Sequence, residues 1–240
     1  MTCQLTKTLA TLCLVTSAFL SCTTEKHDNQ LTQQEKSEGW TLLFDGQTTK
    51  GWHIYNNAKG PSTWSVSNGE LTCGPDIRFV HLDLVSDAEY KNYDLRFDWK
   101  INKGGNSGVF INVQERPDIQ AAWASGPEYQ MLDTAHADYH LPTKRSGTLF
   151  NLTAPLAPAE TRPAPQWNES RIVQRDGHIE FYLNGVLTTQ QDLTAPAWQD
   201  SVSKTYFHNF PSFGQHTSGH IGLQDWHKSV AFKNIKIRPL

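Results

Sequence analysis
Glu128 and Gln130 stand two residues apart in the run Glu128-Tyr129-Gln130-Met131-Leu132-Asp133. Side chains alternate between the faces of a strand, so these two point the same way. The glycine turn at Gly104-Gly105 opens on Asn106 and the apolar stretch Val109–Val113, which predicts a neighbouring strand carrying Asn106 to the same side. A carboxylate between two amides can accept a proton while the amides hydrogen-bond sugar hydroxyls or a carbonyl oxygen. An ordinary glycosidase uses two carboxylates about 5–9.5 Å apart. This strand offers one, because Gln130 holds the next same-face position and Asp133 falls on the opposite face. A solvated surface hairpin accounts for the same residues without any chemistry, so the rest of the chain must discriminate.

A second polar face is predicted near the C-terminus, where His220, Gly222, Gln224 and Trp226 alternate with Ile221 and Leu223. A glycine in such a face lets a ligand approach the backbone. Trp167 precedes the strand beginning at Arg171 and offers a stacking plane, with core packing as its competing use. His136 and His140 have the spacing of a metal pair on a helix, but their surroundings read as loop. His208, His216 and His227 carry no stronger signal. No metal site or cofactor is assigned, and no motif supports a divalent metal. The sequence holds no phosphate-cradling glycine loop, nucleophile elbow or CxxC pair.

The elements that must position these residues are short strands. Leu95, Phe97, Trp99 and Ile101 alternate with Arg96, Asp98 and Lys100, and Ile179, Phe181 and Leu183 alternate with His178, Glu180 and Tyr182. Asn68-Gly69, Asp176-Gly177 and Asn184-Gly185 supply the turns between strands. A proline-rich loop covers residues 134–165, with a short strand candidate at Gly147–Leu152. Helical spacing is weak and confined to Val85–Tyr90 and Ile119–Ala124. The pattern predicts an all-β sandwich or jelly roll, one domain over residues 39–240. With a net charge of -3 and no basic stripe, nucleic acid is excluded as a partner.

Residues 1–22 carry one cation, Lys7, and an apolar run too short to span a bilayer, the pattern of a signal peptide. Its end, Phe19-Leu20-Ser21-Cys22, resembles a bacterial lipobox, which implies lipid attachment at Cys22 and a membrane-anchored lipoprotein of the cell envelope. Ordinary secretory cleavage near Ser21 is the alternative. Cys3 and Cys13 leave with the signal, and Cys73 alone remains in the globular part, as a small buried hydrophobe. Residues 23–38 are polar and aperiodic and read as a flexible tether.

Several segments together resemble one family: Leu43-Phe44-Asp45-Gly46, Gly51-Trp52, Gly105-Asn106-Ser107-Gly108-Val109-Phe110, Glu128 to Asp133, Trp167-Asn168, and Gly219-His220-Ile221-Gly222-Leu223-Gln224-Asp225. The chain is similar to the 3-keto-glycoside 1,2-lyase and 3-keto-2-hydroxy-glucal hydratase family, also called 3-keto-disaccharide hydrolases, many of them exported proteins of Bacteroidota. The resemblance implies a concanavalin A-like jelly-roll β-sandwich. It also implies an oxidised mono- or disaccharide substrate, cleaved by elimination, hydration or both. On this reading Glu128 is the general base or acid, Asn106 and Gln130 orient the sugar, and Trp167, His220 and Gln224 complete the groove. The competing readings are a non-catalytic carbohydrate-binding module and an ordinary glycoside hydrolase. Two departures stand out: Trp226-His227 replaces the usual His-Gly, and Phe150 replaces a common tyrosine.

Overall fold
The computed structural model describes residues 27–57, 62–75, 82–226 and 229–240. The signal peptide, Cys22 and His227 lie outside the described residues. In chain order the strands are β1 (Thr41–Leu42), β2 (Trp52–Ile54), β3 (Trp64–Ser67), β4 (Glu70–Cys73), β5 (Leu84–Tyr90), β6 (Tyr93–Ile101) and β7 (Asn106–Val113). They continue with β8 (Glu128–Leu132), β9 (Asn168–Arg175), β10 (His178–Leu183), β11 (Val186–Asp192), β12 (Gly219–Leu223) and β13 (Val230–Pro239).

The large sheet runs β11-β10-β9-β6-β13-β4-β3, with β1 also on β13, and the small sheet runs β2-β5-β12-β7-β8. This is the expected jelly-roll sandwich. Each hairpin turn has the backbone its sequence implies: Asn68 and Gly69 have φ of 52° and 76°, and Asn184 and Gly185 have 48° and 84°. Positive φ at both central residues matches the twist of the flanking strands.

Alternation decides which residues fill the space between the sheets. Leu95, Phe97, Trp99, Phe181 and Phe232 enter from the large sheet, and Val109, Ile111, Tyr129, Met131, Ile221 and Leu223 from the small one, all at most 2% exposed. Burying a side chain of this size is worth about 1.5–3 kcal/mol. Because Tyr129 and Met131 point inward, Glu128 and Gln130 are left on the outer face of the small sheet. There a second apolar cluster forms around Phe110, Val85, Val113, Ile119 and Ala122. β8 is not a bare edge, since Gln130 N–H donates to Thr148 O (3.0 Å) and Phe150 N–H to Glu128 O (3.0 Å).

Three expectations need correction. Part of the stretch read as a tether folds onto the large sheet. Helix α1 (Gln33–Ser37) starts with a capping box between Thr32 and Glu35, and Glu35 pairs with Lys236. Asn29 and Asn234 exchange reciprocal bonds of 2.6 and 2.8 Å. Val85–Tyr90 is not helical but lies within β5, where pairing with β2 and β12 overrides its spacing. A helix that periodicity missed, α2 (Pro196–Ser203), begins on a proline at its first turn and buries Trp198. Two turns are too short to leave a periodic signature.

Candidate active site
The outer face of the small sheet carries a cavity of about 270 Å³ with Asn106, Glu128, Gln130 and Gln224 among its lining residues. Strand register explains why these four meet. Gly108 pairs with Gln130 and Phe110 with Glu128. Gln224, just past β12, donates its N–H to Gly108 O at 2.9 Å, and Ser107 Oγ donates to Gln224 O at 2.9 Å. One row therefore crosses the sheet as Gln224, Gly108, Gln130. Continuing the Leu223–Leu84 pairing adds Asp83 at the far end.

Gly108 makes the seat for Glu128. A Cβ on Gly108 would lie 2.0 Å from Glu128 Oε1 and 2.6 Å from its Cγ. The carboxyl thus lies directly over the backbone of the neighbouring strand, in space that only glycine leaves free. Glu128 is 7% exposed. Burial, and after it the charge of Asp83, push its pKa well above the usual carboxylate range, against a hydrogen bond from the Gln224 side chain. Asp83 is raised to about 7, chiefly by burial, while the Asp225 backbone N–H at 3.0 Å opposes the shift. The amides are fixed as well. Gln130 Nε2 donates to Asn106 Oδ1 (3.3 Å) and Gln130 Oε1 accepts from Met131 N (3.2 Å), so Asn106 keeps its own N–H donors for a ligand.

The walls are aromatic. Trp123 comes from a 3₁₀ turn at Ala122–Ala124, and Tyr206 and Phe207 from another at Tyr206–Asn209. Phe150, Asn151 and Trp226 complete the lining. Phe207 stacks on buried Phe213 at 3.9 Å and 7°, so its ring is backed by the core. Tyr206 and Trp226 are 60% and 44% exposed and form the rim. Phe150 brings no hydroxyl to the cavity wall, and Trp226 brings an indole.

Behind Gln224, Asp225 ties the two sheets together. It accepts from Thr63 Oγ1 (2.9 Å), Leu82 N (3.2 Å) and Cys73 Sγ (3.1 Å). Cys73 is buried as expected, and burial raises its pKa. Asp133, on the opposite face from Glu128, accepts from Gly104 N (2.7 Å) and Ala135 N (3.0 Å) and so pins the loops at the strand ends.

Two of the sequence-nominated residues do not join this cavity. Trp167 lies on the outer face of the large sheet, between Lys100 and Lys233, whose Nζ atoms are 4.6 and 4.5 Å from its ring. His220 sits at the other end of β12, with Nδ1 2.6 Å from Ser86 O and its ring 6.1 Å from that of His53. The register slips between His220 and Gly222 against both neighbouring strands, with the extra residues in β5 and β7, so β12 keeps its alternation and His220 misses the cavity by its distance along the strand. Gly222 does not admit a ligand either: a Cβ there would meet Phe110 at 3.1 Å, so the missing side chain makes room for Phe110. His136 Nδ1 accepts from Asp138 N (3.0 Å) and His140 Nδ1 meets Ala137 O (2.7 Å). Among the described residues no group of three or more His, Cys, Asp or Glu is arranged to hold a metal ion.

Asp83, Gly108, Trp123 and Tyr206 were not nominated by sequence reasoning. Only Gly108 carried a signal, as a glycine inside an apolar strand.

A curated 3-keto-disaccharide hydrolase from Bacteroides thetaiotaomicron is 28% identical over 238 residues, covering 85% of this chain and 79% of that protein. A solved Parabacteroides distasonis structure, named only provisionally as a glycosyl hydrolase, superposes with a TM-score of 0.80 at 31% identity over 89% of this chain and 100% of its own. A second such structure from the same species gives 0.63 at 25% identity, over 84% and 99%. The model of the 3-keto-alpha-glucoside-1,2-lyase-like domain matches residues 39–238, and the chain belongs to that family.

Proposed function
We propose that this protein is a carbohydrate-active enzyme that cleaves glycosides already oxidised to a ketone at carbon 3, by elimination followed by hydration. The observation that carries this reading is the buried carboxyl of Glu128, the one carboxyl among the described residues lining the aromatic cavity, seated over Gly108. A normal carboxylate is too weak a base for a carbon acid. One whose pKa is raised by burial approaches the strength that a ketone-acidified C–H demands. The same feature disfavours an ordinary glycoside hydrolase. The second carboxyl, Asp83, is not among the cavity-lining residues, so among the described residues no carboxyl pair lines the cavity to straddle a glycosidic bond.

In the reaction, Glu128 takes the hydrogen from carbon 2. The electron pair of that C–H bond forms the C1–C2 double bond as the C1–O bond breaks. The departing oxygen leaves as an alcohol after receiving a proton, which the newly protonated Glu128 is placed to return. Water then adds across the double bond and restores a 3-keto sugar, so the sum is hydrolysis. Asn106 N–H donors face the developing enolate oxygen, and losing one such donor typically costs about 10²–10³-fold in rate. The signal-like N-terminus and the lipobox-like run ending at Cys22 support a location in the cell envelope.

The exposed rim supplies stacking surface and takes no part in bond breaking. Trp226→Ala combined with Tyr206→Ala is expected to raise KM on the order of tenfold with kcat nearly unchanged, in steady-state kinetics. The reading itself is tested with 3-keto-trehalose and 3-keto-cellobiose beside their unoxidised parents, following enone absorbance and released sugar. Cleavage of the oxidised sugars alone is expected. Equal cleavage of the parents would establish an ordinary glycosidase, and binding without turnover a carbohydrate-binding module.

A further inference from the structure
Gln130 lines the cavity, yet its amide works inside the protein. Sequence spacing nominates it as a sugar ligand, but at 1% exposure it offers a ligand almost no surface. Its Oε1 accepts from Met131 N (3.2 Å), and its Nε2 donates to Asn106 Oδ1 (3.3 Å). Asn106 stands opposite Leu132 and so diagonal to Gln130 across β7 and β8, within reach of a long side chain.

An amide keeps nearly the same shape when its oxygen and nitrogen are exchanged, so its neighbours must decide which end faces where. Here a backbone group decides. The Met131 N–H is always a donor, and it faces one end of the Gln130 amide, which must be the oxygen. That turns Nε2 toward Asn106. Two N–H groups would repel there, so Asn106 gives Oδ1 to Gln130. Its Nδ2 has no hydrogen-bond partner among the described residues and is left for the cavity that Asn106 lines.

We infer that Gln130 is a positioning residue that makes the site selective for a ketone at carbon 3: by fixing the Asn106 amide with its N–H donors toward the sugar, it matches an oxygen that only accepts. A hydroxyl at the same point brings a proton that needs a further acceptor, and a carbonyl brings none. As the C2–H bond breaks, charge gathers on that oxygen, and a donor already in place strengthens without having to turn. A reversed Asn106 amide would oppose two acceptors and would favour the hydroxyl sugar instead.

This inference takes its ligand from the 3-keto reading, and one arm of its test needs no ligand. Neutron diffraction from crystals of the free protein in heavy water distinguishes N–D₂ from O, and should show Asn106 Oδ1 toward Gln130. The binding arm uses Glu128→Gln, in which turnover is suppressed, with methyl 3-keto-glucoside and methyl glucoside in titration calorimetry. Gln130→Glu is then added. Protonated, its acid accepts from Met131 N and donates to Asn106 Oδ1 as glutamine does. Ionised, it only accepts, and the Asn106 amide turns round. The preference for the ketone should match that of Glu128→Gln alone at acid pH and fall about tenfold or more as pH rises. Gln130→Met, which cannot donate, should lower the preference a few fold at every pH. A merely structural role for Gln130 would weaken both sugars alike. A reversed Asn106 amide in the neutron maps, or a preference unmoved in both variants, would overturn the inference. If neither sugar binds, the 3-keto reading fails by itself, and the neutron maps still decide which way Asn106 faces.

Discussion
Glu128→Gln is expected to lower kcat on a 3-keto-glycoside by at least about 10²–10⁴-fold, the usual share of a placed general base. Its stability should move the other way. The folded pKa of Glu128 lies above the unfolded value, so the folded state binds more protons across that window. The stabilising contribution is fully present below the unfolded pKa and is lost as pH rises through the folded one. Glutamine fills the same space and carries no charge, so Glu128→Gln should match or exceed wild type in Tm at alkaline pH. Below the unfolded carboxylate range the difference should shrink. A variant that is inactive because it is misfolded would show the opposite trend in thermal melts followed by circular dichroism. Acid–base activity in wild type should rise with pH above the usual carboxylate range, since the base must shed a proton that burial holds.

Gly108→Ala tests the seat and leaves the carboxyl itself unchanged. The added methyl would stand 2.0 Å from Glu128 Oε1 and 2.7 Å from Cδ. All three of the nearest atoms belong to the Glu128 side chain, so the strand can stay in register while that side chain swings away. Misplacing a reacting group by about 1 Å can cost about 10²-fold, and kcat should fall by that much or more. The stability change should be limited to about 1–3 kcal/mol, the usual range for an added methyl in a packed site. If Gly108→Ala retains full turnover, Glu128 does not act from the position seen here.

What the sequence revealed of this site follows from which properties of a strand are local. Glu128, Gln130, Asn106 and Gln224 were legible because each lies on or next to an alternating run, and alternation is a property of the backbone. Their convergence follows from register, which the Gly105-Asn106-Ser107-Gly108 motif made readable. His220 was misplaced because alternation gives the face of a strand and not the position of the cavity along it, and His220 stands at the opposite end of β12 from Gln224. Trp167 was misplaced because a tryptophan at a strand entry does not say which face of which sheet it covers. Asp83 lies 45 positions before Glu128 and just ahead of its own strand, so only the pairing of β5 with β12 brings it to the site. Trp123 and Tyr206 sit in one-turn 3₁₀ segments whose placement depends on helix α2 and the packing of Phe207 on Phe213. The flexible-tether expectation failed because the contacts that order residues 29–38 are polar ones to Asn234 and Lys236, and hydrophobic periodicity does not report them.

The central claim is that Glu128 removes the hydrogen at carbon 2 of an oxidised sugar. Its most direct test compares 3-keto-trehalose bearing deuterium at carbon 2 with the unlabelled sugar, in kcat/KM and in the rate of enone appearance. A primary isotope effect on both, and loss of turnover in Glu128→Gln, is the predicted result. Equal rates for the two sugars in single-turnover experiments, with full activity in Glu128→Gln, would contradict it.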